Sequence, residues 1–353
     1  MSEKQIGKGS FSVVSRSQAG RVIKKINKNL KQSVSSKLKK KYIIQKNILD
    51  FLRHNNPDKS NLFSQIYEIT PANQSIMKDL GDKNLNWFLK HRFGDLSNDF
   101  DNVVQQLFDG VVIMIKSGIF HRDIKPDNIM VRYDNKTGSF QLTFIDFVDA
   151  LSKNEAVKSK KFLYFGTPMF MPLELLKRNE NKDWKHSNPK MPWFEYATND
   201  LWSLGIVLYL LIFNKFPCEM FNELYPNDKI SSLLKLYEKL DKDPKLYNSL
   251  FPSAMLPEQK KKYLQDVKTL LSFQPNKRST WFYKKFKQMS SKKTQHSKVS
   301  MLLRASEQIG NRKRKLQTEQ QNKKATNPQD KISMLLQASE LLRNKKKRLQ
   351  TKY

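Results

Sequence analysis

The residues of this chain best suited to chemistry lie between positions 121 and 146. His121-Arg122-Asp123-Ile124-Lys125-Pro126-Asp127-Asn128 is followed by Asp146, eighteen residues after Asn128. Asp123 is a carboxylate that can accept a hydroxyl proton, and Lys125 places a cation two residues away. Asn128 and Asp146 supply oxygen ligands of the kind that Mg²⁺ prefers. A base, a cation and two metal ligands at this spacing are the groups that phosphoryl transfer requires.

This spacing resembles the catalytic loop and metal-binding aspartate of eukaryotic-type Ser/Thr protein kinases. The resemblance implies that Asp123 accepts the proton of the substrate hydroxyl and that Lys125 steadies the transferred phosphate. It implies that Asn128 and Asp146 bind Mg²⁺, with Mn²⁺ as an alternative ion. Thr167 would hydrogen-bond near Asp123 and Lys125, which favours a Ser or Thr acceptor. The implied partners are therefore protein substrates with Ser or Thr acceptors.

The N-terminal residues resemble the nucleotide-binding part of the same family. Residues 6–14 alternate like two strands joined by a tight turn, where Gly7 and Gly9 allow the backbone to approach phosphate oxygens. Two glycines alone are more typical of a plain hairpin. The apolar strand 22–26 follows, and its register against the family's Val-Ala-Ile-Lys pattern selects Lys24 as the cation for the ATP phosphates.

The resemblance extends the ATP site to later strands. Met77 would lie at the back of the nucleotide pocket, and residues 78–81 would form the hinge that offers backbone groups to adenine. Met130 lies in the strand that resumes after Asn128. The residues implied in ATP binding are Ile6, Gly7, Gly9, Val14, Val22, Lys24, Met77, Leu80 and Met130.

Two departures from the family pattern affect the phosphate-binding side. Ser12 stands where the third glycine of the phosphate-binding loop would be. No Glu occurs from residue 4 to residue 67, and Gln45 takes the place of the helix glutamate that pairs with the strand lysine. A Gln carbonyl can accept a hydrogen bond from Lys24, but neutral partners give weaker bonds that fix position less firmly.

Two further departures lie in the segment that follows the catalytic loop. Val148 replaces the glycine of the family's Asp-Phe-Gly tripeptide, and Pro172-Leu173 replaces a later Ala-Pro. Because a β-branched residue disfavours positive φ, the segment around Val148 should change conformation less readily.

Regulation by phosphorylation stays open. The activation segment would run from Asp146 to Glu174, and in the family Arg122 often indicates control by a phosphorylated residue of that segment. The candidates are Ser152, Ser159 and Tyr164, whereas Lys158, Lys160 and Lys161 compete for the same anionic partner.

Two pairings between distant residues test the resemblance independently. Asp200 would cap the backbone of the catalytic loop and open a buried helix. Arg278 matches the late arginine of the family that pairs with a glutamate, here Glu174. The residues between Glu174 and Asp200 are more numerous than usual and would form a surface insertion near the substrate-docking face.

Together the motifs predict a two-lobed α+β protein-kinase fold over residues 4–288. Residues 4–80 would form a small β-rich N-terminal lobe, and residues 81–288 a larger, mainly helical lobe. Helices are predicted over 34–54, 84–91 and 100–116, and strands over 63–70, 75–80, 129–131 and 141–145. The apolar run 204–213 is too short to span a bilayer and is typical of a buried helix. The last two strands would bring the two metal ligands close together.

The chain is strongly basic, with a formal net charge of +32 over 353 residues. Residues 289–353 contain 17 Lys and Arg against 4 Asp and Glu, which leaves +19 on residues 1–288. Such a field attracts nucleic acid, anionic membranes or acidic proteins. Solubility with a Lys- and Asn-rich composition explains the charge equally well. Compact kinases with altered motifs and a Lys- and Asn-rich composition also occur in large DNA viruses. This chain resembles them only in these general features.

The single cysteine, Cys218, excludes a disulfide framework and is typical of a reducing compartment. The N-terminal residues show no apolar signal segment. We therefore expect an intracellular protein, in cytoplasm or nucleus, that is not secreted and has no transmembrane segment.

Residues 289–353 are predicted to form a basic low-complexity tail with a two-copy repeat, 298–318 and 331–351. Ser-Met-Leu-Leu-Arg-Ala-Ser-Glu at 300–307 returns with Gln in place of Arg at 333–340, and each copy ends in four basic residues and Leu-Gln-Thr. Each unit is typical of a short amphipathic helix with a basic end, suited to nucleic acid or another anionic partner. The basic runs also resemble nuclear-localisation signals. A disordered tail with a fortuitous duplication is the alternative.

Three functions fit these residues. The first is an active Ser/Thr protein kinase, because every group expected to touch phosphate or metal is present. The second is a pseudokinase or scaffold, in which Ser12, Gln45 and Val148 have made transfer slow or absent. The third is a basic, nucleic-acid-associated binding protein. Substrate preference stays open, since Asp127 favours a basic residue before the acceptor and the net charge favours acidic targets.

Overall fold

The computed structural model describes residues 4–8, 12–17, 20–27, 32–72, 74–81, 83–158, 166–180, 193–217, 230–254 and 256–290. By its contacts the chain divides into two compact units, Met1–Phe286 and Lys287–Tyr353. The predictions for Gly9, Ser159, Tyr164, Cys218 and both copies of the tail repeat fall outside the described residues. Most of the predicted surface insertion, residues 181–192, also lies outside them.

A five-stranded antiparallel sheet forms the N-terminal part of the first unit. Its strands are β1 (Lys4–Lys8), β2 (Ser12–Arg16), β3 (Arg21–Ile26), β4 (Ile66–Ile69) and β5 (Gln74–Lys78), in the order β1-β2-β3-β5-β4. β4 is shorter than the predicted strand because Phe63 bridges instead to Phe144, outside the sheet. β5 ends at Lys78 because the chain turns at Gly81, whose φ of 87° is readily adopted only by glycine.

One long helix, α1 (Gln32–Asn55), follows β3 and extends the predicted helix slightly at both ends. Its buried residues recur every three or four positions, at Leu38, Tyr42, Gln45, Leu49 and Leu52, with Ile48 buried beside Leu49. This is the period of a helix with one buried face. That face packs against β4 and against the short 3-10 turn Phe147–Asp149. Helix α1 therefore connects the sheet with the segment that contains Asp146.

The described residues after β5 are mainly helical. Its helices are α2 (Leu85–His91), α3 (Phe93–Asn98), α4 (Phe100–Lys116), α5 (Lys153–Lys158), α6 (Leu173–Glu180), α7 (Trp193–Phe213), α8 (Ile230–Lys242), α9 (Pro244–Ser249), α10 (Glu258–Lys261), α11 (Leu264–Leu270) and α12 (275–290). Helix α7 packs against both α4 and α11, and its residues from Tyr196 to Ile212 are buried. These helices form the core of the lobe.

Helix α7 begins at Trp193, well before the apolar run that predicts it. Asp200 therefore lies inside the helix and not at its start, which corrects the interpretation from sequence. Phe194–Phe213 is long and apolar enough to cross a membrane, and in the described part of the chain it alone meets that test. Nearly all of it is buried in the lobe, as in the core helix of a globular domain.

Two short antiparallel pairs lie beside the helices. β6 (Ile119–Phe120) pairs with β9 (Leu151–Ser152), and β7 (Ile129–Asp134) pairs with β8 (Ser139–Phe144). The β7–β8 hairpin is longer than predicted because the register continues to its turn, Asp134 opposite Ser139. The Ile145 N–H donates to the Asn128 carbonyl at 2.9 Å, so the hairpin brings the two predicted metal ligands to the same end.

Candidate active site

The backbone of the catalytic loop, residues 121–128, is held by Asp200. One carboxylate oxygen of Asp200 accepts the His121 N–H at 2.7 Å, and the other accepts the Arg122 N–H at 2.8 Å. Arg122 has a φ of 72°, which is unfavourable for a non-glycine residue, and these bonds hold it there. Burial raises the pKa of Asp200 to about 6, against the opposing effects of His121 and the two N–H donors. The predicted cap on the catalytic loop is confirmed.

Asp123, Lys125 and Thr167 form a closed triangle of polar contacts. The Thr167 hydroxyl donates to Asp123 Oδ1 at 2.8 Å, and the Lys125 ammonium donates to the Thr167 hydroxyl at 2.7 Å. The same ammonium lies 2.8 Å from Asp123 Oδ2. The side chains of Asp123 and Lys125 are 23% and 22% exposed, so a substrate can reach both.

Gly166 allows the chain to place Thr167 in this triangle. Its φ of 127° lies in the region that favours glycine. A Cβ at this position would lie 2.8 Å from the Arg122 carbonyl oxygen, which is too close for any side chain. The Gly-Thr sequence therefore couples the later segment to the catalytic loop.

Asn128 connects the base to the metal-binding end of the site. Its side-chain N–H₂ donates to the Asp123 carbonyl at 2.9 Å and to Asp123 Oδ2 at 3.0 Å. The amide is thus oriented by its nitrogen, which leaves the amide oxygen to act as a ligand. Asn128 is buried at the end of a short 3-10 turn, Pro126–Asn128, so its position is well defined.

Lys24 and Asp146 form an ion pair between the sheet and the helical lobe. The Lys24 ammonium lies 2.8 Å from Asp146 Oδ1. Burial opposes the charge on Lys24, but Asp146, with Tyr42 and Asp149, raises the pKa of this lysine above its ordinary value. Burial would likewise raise the pKa of Asp146, but the Lys24 ammonium lowers it below its ordinary value. Both groups are therefore charged at neutral pH.

Phe147 anchors the segment that follows Asp146. Its ring is fully buried and contacts the His121 ring, with 4.6 Å between centroids. Val148 lies in the 3-10 turn and has no positive φ, as a β-branched residue requires. The left-handed conformation falls on Asp146 instead, with φ 61°. Val148 is therefore compatible with an Asp146 that reaches Lys24.

The oxygen donors of this site fit a Mg²⁺ ion. Asn128 and Asp146 offer one amide and one carboxylate oxygen, and the described residues contain no cluster of three or more His, Cys, Asp or Glu able to hold a metal. Mg²⁺ keeps several waters and binds through one or two protein oxygens together with substrate phosphates. Two protein ligands are therefore sufficient for it, and Mn²⁺ accepts similar oxygen donors.

The family model described as protein kinase domain matches residues 1–293 of this chain. This chain belongs to the protein kinase family. The two-lobed α+β kinase fold predicted from the sequence is thereby confirmed, since a five-stranded antiparallel sheet precedes a mainly helical part.

Several curated Ser/Thr and other protein kinases are similar to this kinase domain. Serine/threonine-protein kinase 33 of Bos taurus is 24% identical over 259 residues, which cover 70% of this chain and 48% of that protein. CBL-interacting protein kinase 25 of Oryza sativa is 30% identical over 133 residues, 37% of this chain and 21% of the relative. Calcium-dependent protein kinase 5 of Plasmodium berghei is 26% identical over 216 residues, 59% and 33% of the two chains. The chain spans half or less of the length of these relatives.

The strands of the kinase domain bring together most of the predicted ATP-binding residues. In the sheet register Val14 lies opposite Gly7 on one side and opposite Lys24 on the other. Val22, which is buried, lies opposite Met77. These five residues therefore occupy neighbouring positions on β1, β2, β3 and β5.

The structure does not bring the other predicted ATP-binding residues into this group in the same way. Ile6 lies on β1 and is 37% exposed. Leu80, two residues after β5, and Met130, on β7, line one small cavity that none of those five residues lines. The prediction for Gly9 lies outside the described residues.

The hydrogen bond that the Gln45 carbonyl could accept from Lys24 is not formed within the described part of the chain. Gln45 is buried, but among the described contacts no hydrogen bond joins it to Lys24. The Lys24 ammonium pairs with Asp146 and lies 5.9 Å from the centroid of the Tyr42 ring. A carboxylate also binds an ammonium more strongly than a neutral amide does.

The predicted pairing of Glu174 with Arg278 is confirmed. The fully buried Arg278 guanidinium donates to Glu174 Oε1 and, through its other terminal nitrogen, to the Ser272 carbonyl at 2.5 Å. Burial lowers the pKa of Arg278, an effect that Glu174 opposes. The altered Pro172-Leu173 sequence still starts α6 with Glu174 in place.

One ion pair beside the nucleotide site has no counterpart among the sequence predictions. Arg16, on β2, contacts Asp79, the residue after β5, with its Nε 2.5 Å from Oδ2 and its Nη2 3.0 Å from Oδ1. The same Oδ1 accepts the Gly81 N–H at 2.9 Å. The pair joins β2 to the residue that follows β5, and two opposite charges 63 residues apart leave no local signal by which to predict it.

Proposed function

We propose that this chain is an ATP-dependent Ser/Thr protein kinase that transfers the γ-phosphate of ATP to Ser or Thr hydroxyls of protein substrates. The observation that carries the proposal is the triangle of Asp123, Lys125 and Thr167. A carboxylate, an ammonium and a hydroxyl lie within hydrogen-bond distance of one another, partly open to solvent, beside two oxygen ligands. Family membership supports the same reaction class.

In the proposed reaction each member of the triangle has a separate role. The Asp123 carboxylate accepts the proton of the substrate hydroxyl and orients its oxygen. Lys125 donates to the phosphoryl oxygens and offsets the negative charge that accumulates on them. Thr167 donates to Asp123 and so fixes the orientation of the carboxylate that faces the substrate.

We assign ATP binding to Lys24 of the sheet, to the predicted metal ligands and to the residues after β5. Lys24 contacts the ATP phosphates, which it can reach because its strand holds the ammonium beside Asp146. Asn128 and Asp146 would hold Mg²⁺, which neutralises phosphate charge when bound. The hinge after β5 presents backbone groups to adenine.

The proposal is tested by transfer of label from γ-³²P-labelled ATP, with Mg²⁺, to the protein itself and to generic protein substrates. Asp123→Asn should lower the rate by about 10²- to 10⁴-fold, because it removes the base and keeps the size of the side chain. Lys24→Met should also abolish most transfer. Phosphoamino-acid analysis should give phosphoserine or phosphothreonine. Equal transfer by all three proteins would indicate a contaminant and overturn the proposal.

A pseudokinase or scaffold is the second candidate, and one observation favours it. Gln45 does not bond to Lys24, so helix α1 lacks the acidic partner that would hold this lysine. A scaffold of this kind would bind nucleotide without transfer. ATP binding measured by calorimetry in the wild type, together with label transfer no faster than that of Asp123→Asn, would decide for it.

We further propose that residues 289–353 form a targeting tail for an anionic partner such as nucleic acid. The support is the repeated basic run, which carries much of the net charge of +13 in this segment. Binding to duplex DNA or RNA should be salt-sensitive and should weaken when the tail is deleted. Binding that does not change on deletion would remove the tail from this role.

A further inference from the structure

Helix α1 contacts the segment that follows Asp146 through an ion pair whose cation lies on the helix. The Lys41 ammonium lies 2.5 Å from Asp149 Oδ1, and the two residues are 108 positions apart in the chain. Lys41 lies one helical turn before Gln45, on the side of α1 that packs against the turn Phe147–Asp149. The cation is thus on the helix and the acid on the segment, three residues after Asp146.

Asp149 acts on more than one cation. Its charge raises the pKa of Lys24, an effect that adds to that of Asp146 and opposes burial. It also opposes the lowering of the Arg122 pKa that burial causes, together with Tyr196 and Asp200. Asp149 therefore lies among cations from helix α1, strand β3 and the catalytic loop. These are the three elements whose relative position sets the geometry of the site.

We propose that the Lys41–Asp149 ion pair positions helix α1 and the Asp146 segment for phosphoryl transfer, in the role that Gln45 does not fill. This inference rests on the proposed kinase function. Lys41 and Asp149 act as positioning residues, since neither touches the triangle of Asp123, Lys125 and Thr167. When the pair is absent, helix α1 loses this ionic contact with the segment, and Asp146 is held at its correct distance for a smaller fraction of the time.

The chain offers a matched control on the same helix. Lys46 pairs with Asp50 at 2.5 Å, the same distance, but both residues belong to α1. Lys46→Ala removes one lysine and one ion pair from the helix without touching the segment after Asp146. A general effect of helix charge or stability would appear equally in Lys41→Ala and Lys46→Ala.

The kinetic test compares kcat at saturating ATP. Because both side chains of the Lys41–Asp149 pair are 36% exposed, the effect should be moderate. Lys41→Ala should lower kcat about fivefold, the upper range for a partly exposed pair, with KM for ATP changed less. Lys41→Arg keeps the charge and should retain near wild-type kcat, as should Lys46→Ala. The Lys41→Ala/Asp149→Asn double variant should be no slower than Asp149→Asn alone. A Lys41→Ala enzyme indistinguishable from Lys46→Ala would overturn the proposal.

A second measurement does not depend on catalysis. Hydrogen–deuterium exchange of amides 147–152 in the full chain should be faster in Lys41→Ala than in wild type and unchanged in Lys46→Ala. Absence of transfer in the wild type would defeat the proposed function, whereas unchanged exchange in Lys41→Ala would defeat the positioning role. The two failures are therefore separable.

Discussion

The two walls of the proposed ATP site are held by different kinds of contact. On the helical side, Asp123 is bonded to Thr167, Lys125 and Asn128, and Asp200 holds the loop backbone. These bonds lie within one lobe; the Asp200 bond to His121 is buried, and the bonds around Asp123 are partly buried. Loss of any one leaves the others in place, but it also leaves a polar group without its partner in a site of low exposure.

On the sheet side, Lys24 and helix α1 reach the Asp146 segment through ion pairs. Lys24 has Asp146 as its acidic partner, and helix α1 reaches the same segment through Lys41 and Asp149. These pairs join two lobes and are partly exposed. The comparison indicates that Asp123 is held by several polar partners, whereas Lys24 and Lys41 reach across the lobes through ion pairs.

The largest expected effect is on stability, from loss of the ion pair between Glu174 and the buried Arg278 in the helical lobe. Glu174→Ala should lower the free energy of unfolding by about 3 kcal/mol, because it leaves the fully buried Arg278 guanidinium without its carboxylate. Chemical denaturation measures the change. Glu258→Ala removes the exposed partner of Lys261 and is the matched control, with little expected change. Equal effects of the two substitutions would contradict this prediction.

The next effect concerns the pH dependence of stability through Asp200. Its pKa is about 6 in the folded protein against 3.8 ordinarily, so between these values the folded state binds a proton that the unfolded state has lost. The contribution of Asp200 to stability is therefore greatest below about pH 4 and is lost as the pH rises through 6. From pH 4 to pH 7, the unfolding free energy of the wild type should fall relative to that of Asp200→Asn by about 2–3 kcal/mol. Urea unfolding of both proteins at each pH measures this difference in unfolding free energy. A difference that stays constant from pH 4 to pH 7 would contradict the prediction.

A smaller, purely kinetic effect is expected at Thr167. Thr167→Val keeps the shape but removes the hydroxyl that donates to Asp123 and accepts from Lys125. We expect kcat to fall about 10- to 100-fold, the equivalent of one or two lost hydrogen bonds to charged groups. Thr167→Ser retains the hydroxyl and should stay within about threefold. If steady-state kinetics give the same kcat for Thr167→Val and Thr167→Ser, the contacts of the Thr167 hydroxyl with Asp123 and Lys125 have no role in the mechanism.

The smallest expected effect is on the sheet side, at Gln45. Gln45→Leu preserves the volume of this buried side chain and removes an amide that does not bond to Lys24. We expect kcat and KM for ATP to stay within about twofold of wild type. A tenfold loss of kcat would show that Gln45 does position Lys24. The sheet side and the helical side of the site would then differ less in the contacts that hold them.

Local motifs explain why so much of the site could be predicted. Asp123, Lys125 and Asn128 belong to one loop, and the hairpin that follows sets the position of Asp146. The sheet and helix α1 also agree with their sequence periods. The start of α7 was predicted too late, because the buried residues from Tyr196 to Ser203 include polar side chains, such as Ser203, which donates to the distant Phe170 carbonyl.

Long-range ion pairs could not be predicted in the same way. Helix α1 contains several lysines, and nothing in its sequence distinguishes Lys41, which pairs across the lobes, from Lys46, which pairs within the helix. Arg16 and Asp79 are single charges on separate elements. Whether Lys24 pairs with Asp146 or with Gln45 likewise depends on the relative position of the two lobes.

The sequence by itself determined which chemical groups this kinase domain possesses and their order along the chain, because side-chain chemistry and short-range backbone geometry depend on residues a few positions apart. Only the tertiary structure decided which partner each charge takes, at Lys24, Lys41 and Arg16. The physical reason is that an ion pair depends on distance through space, and for residues on separate elements folding alone sets that distance.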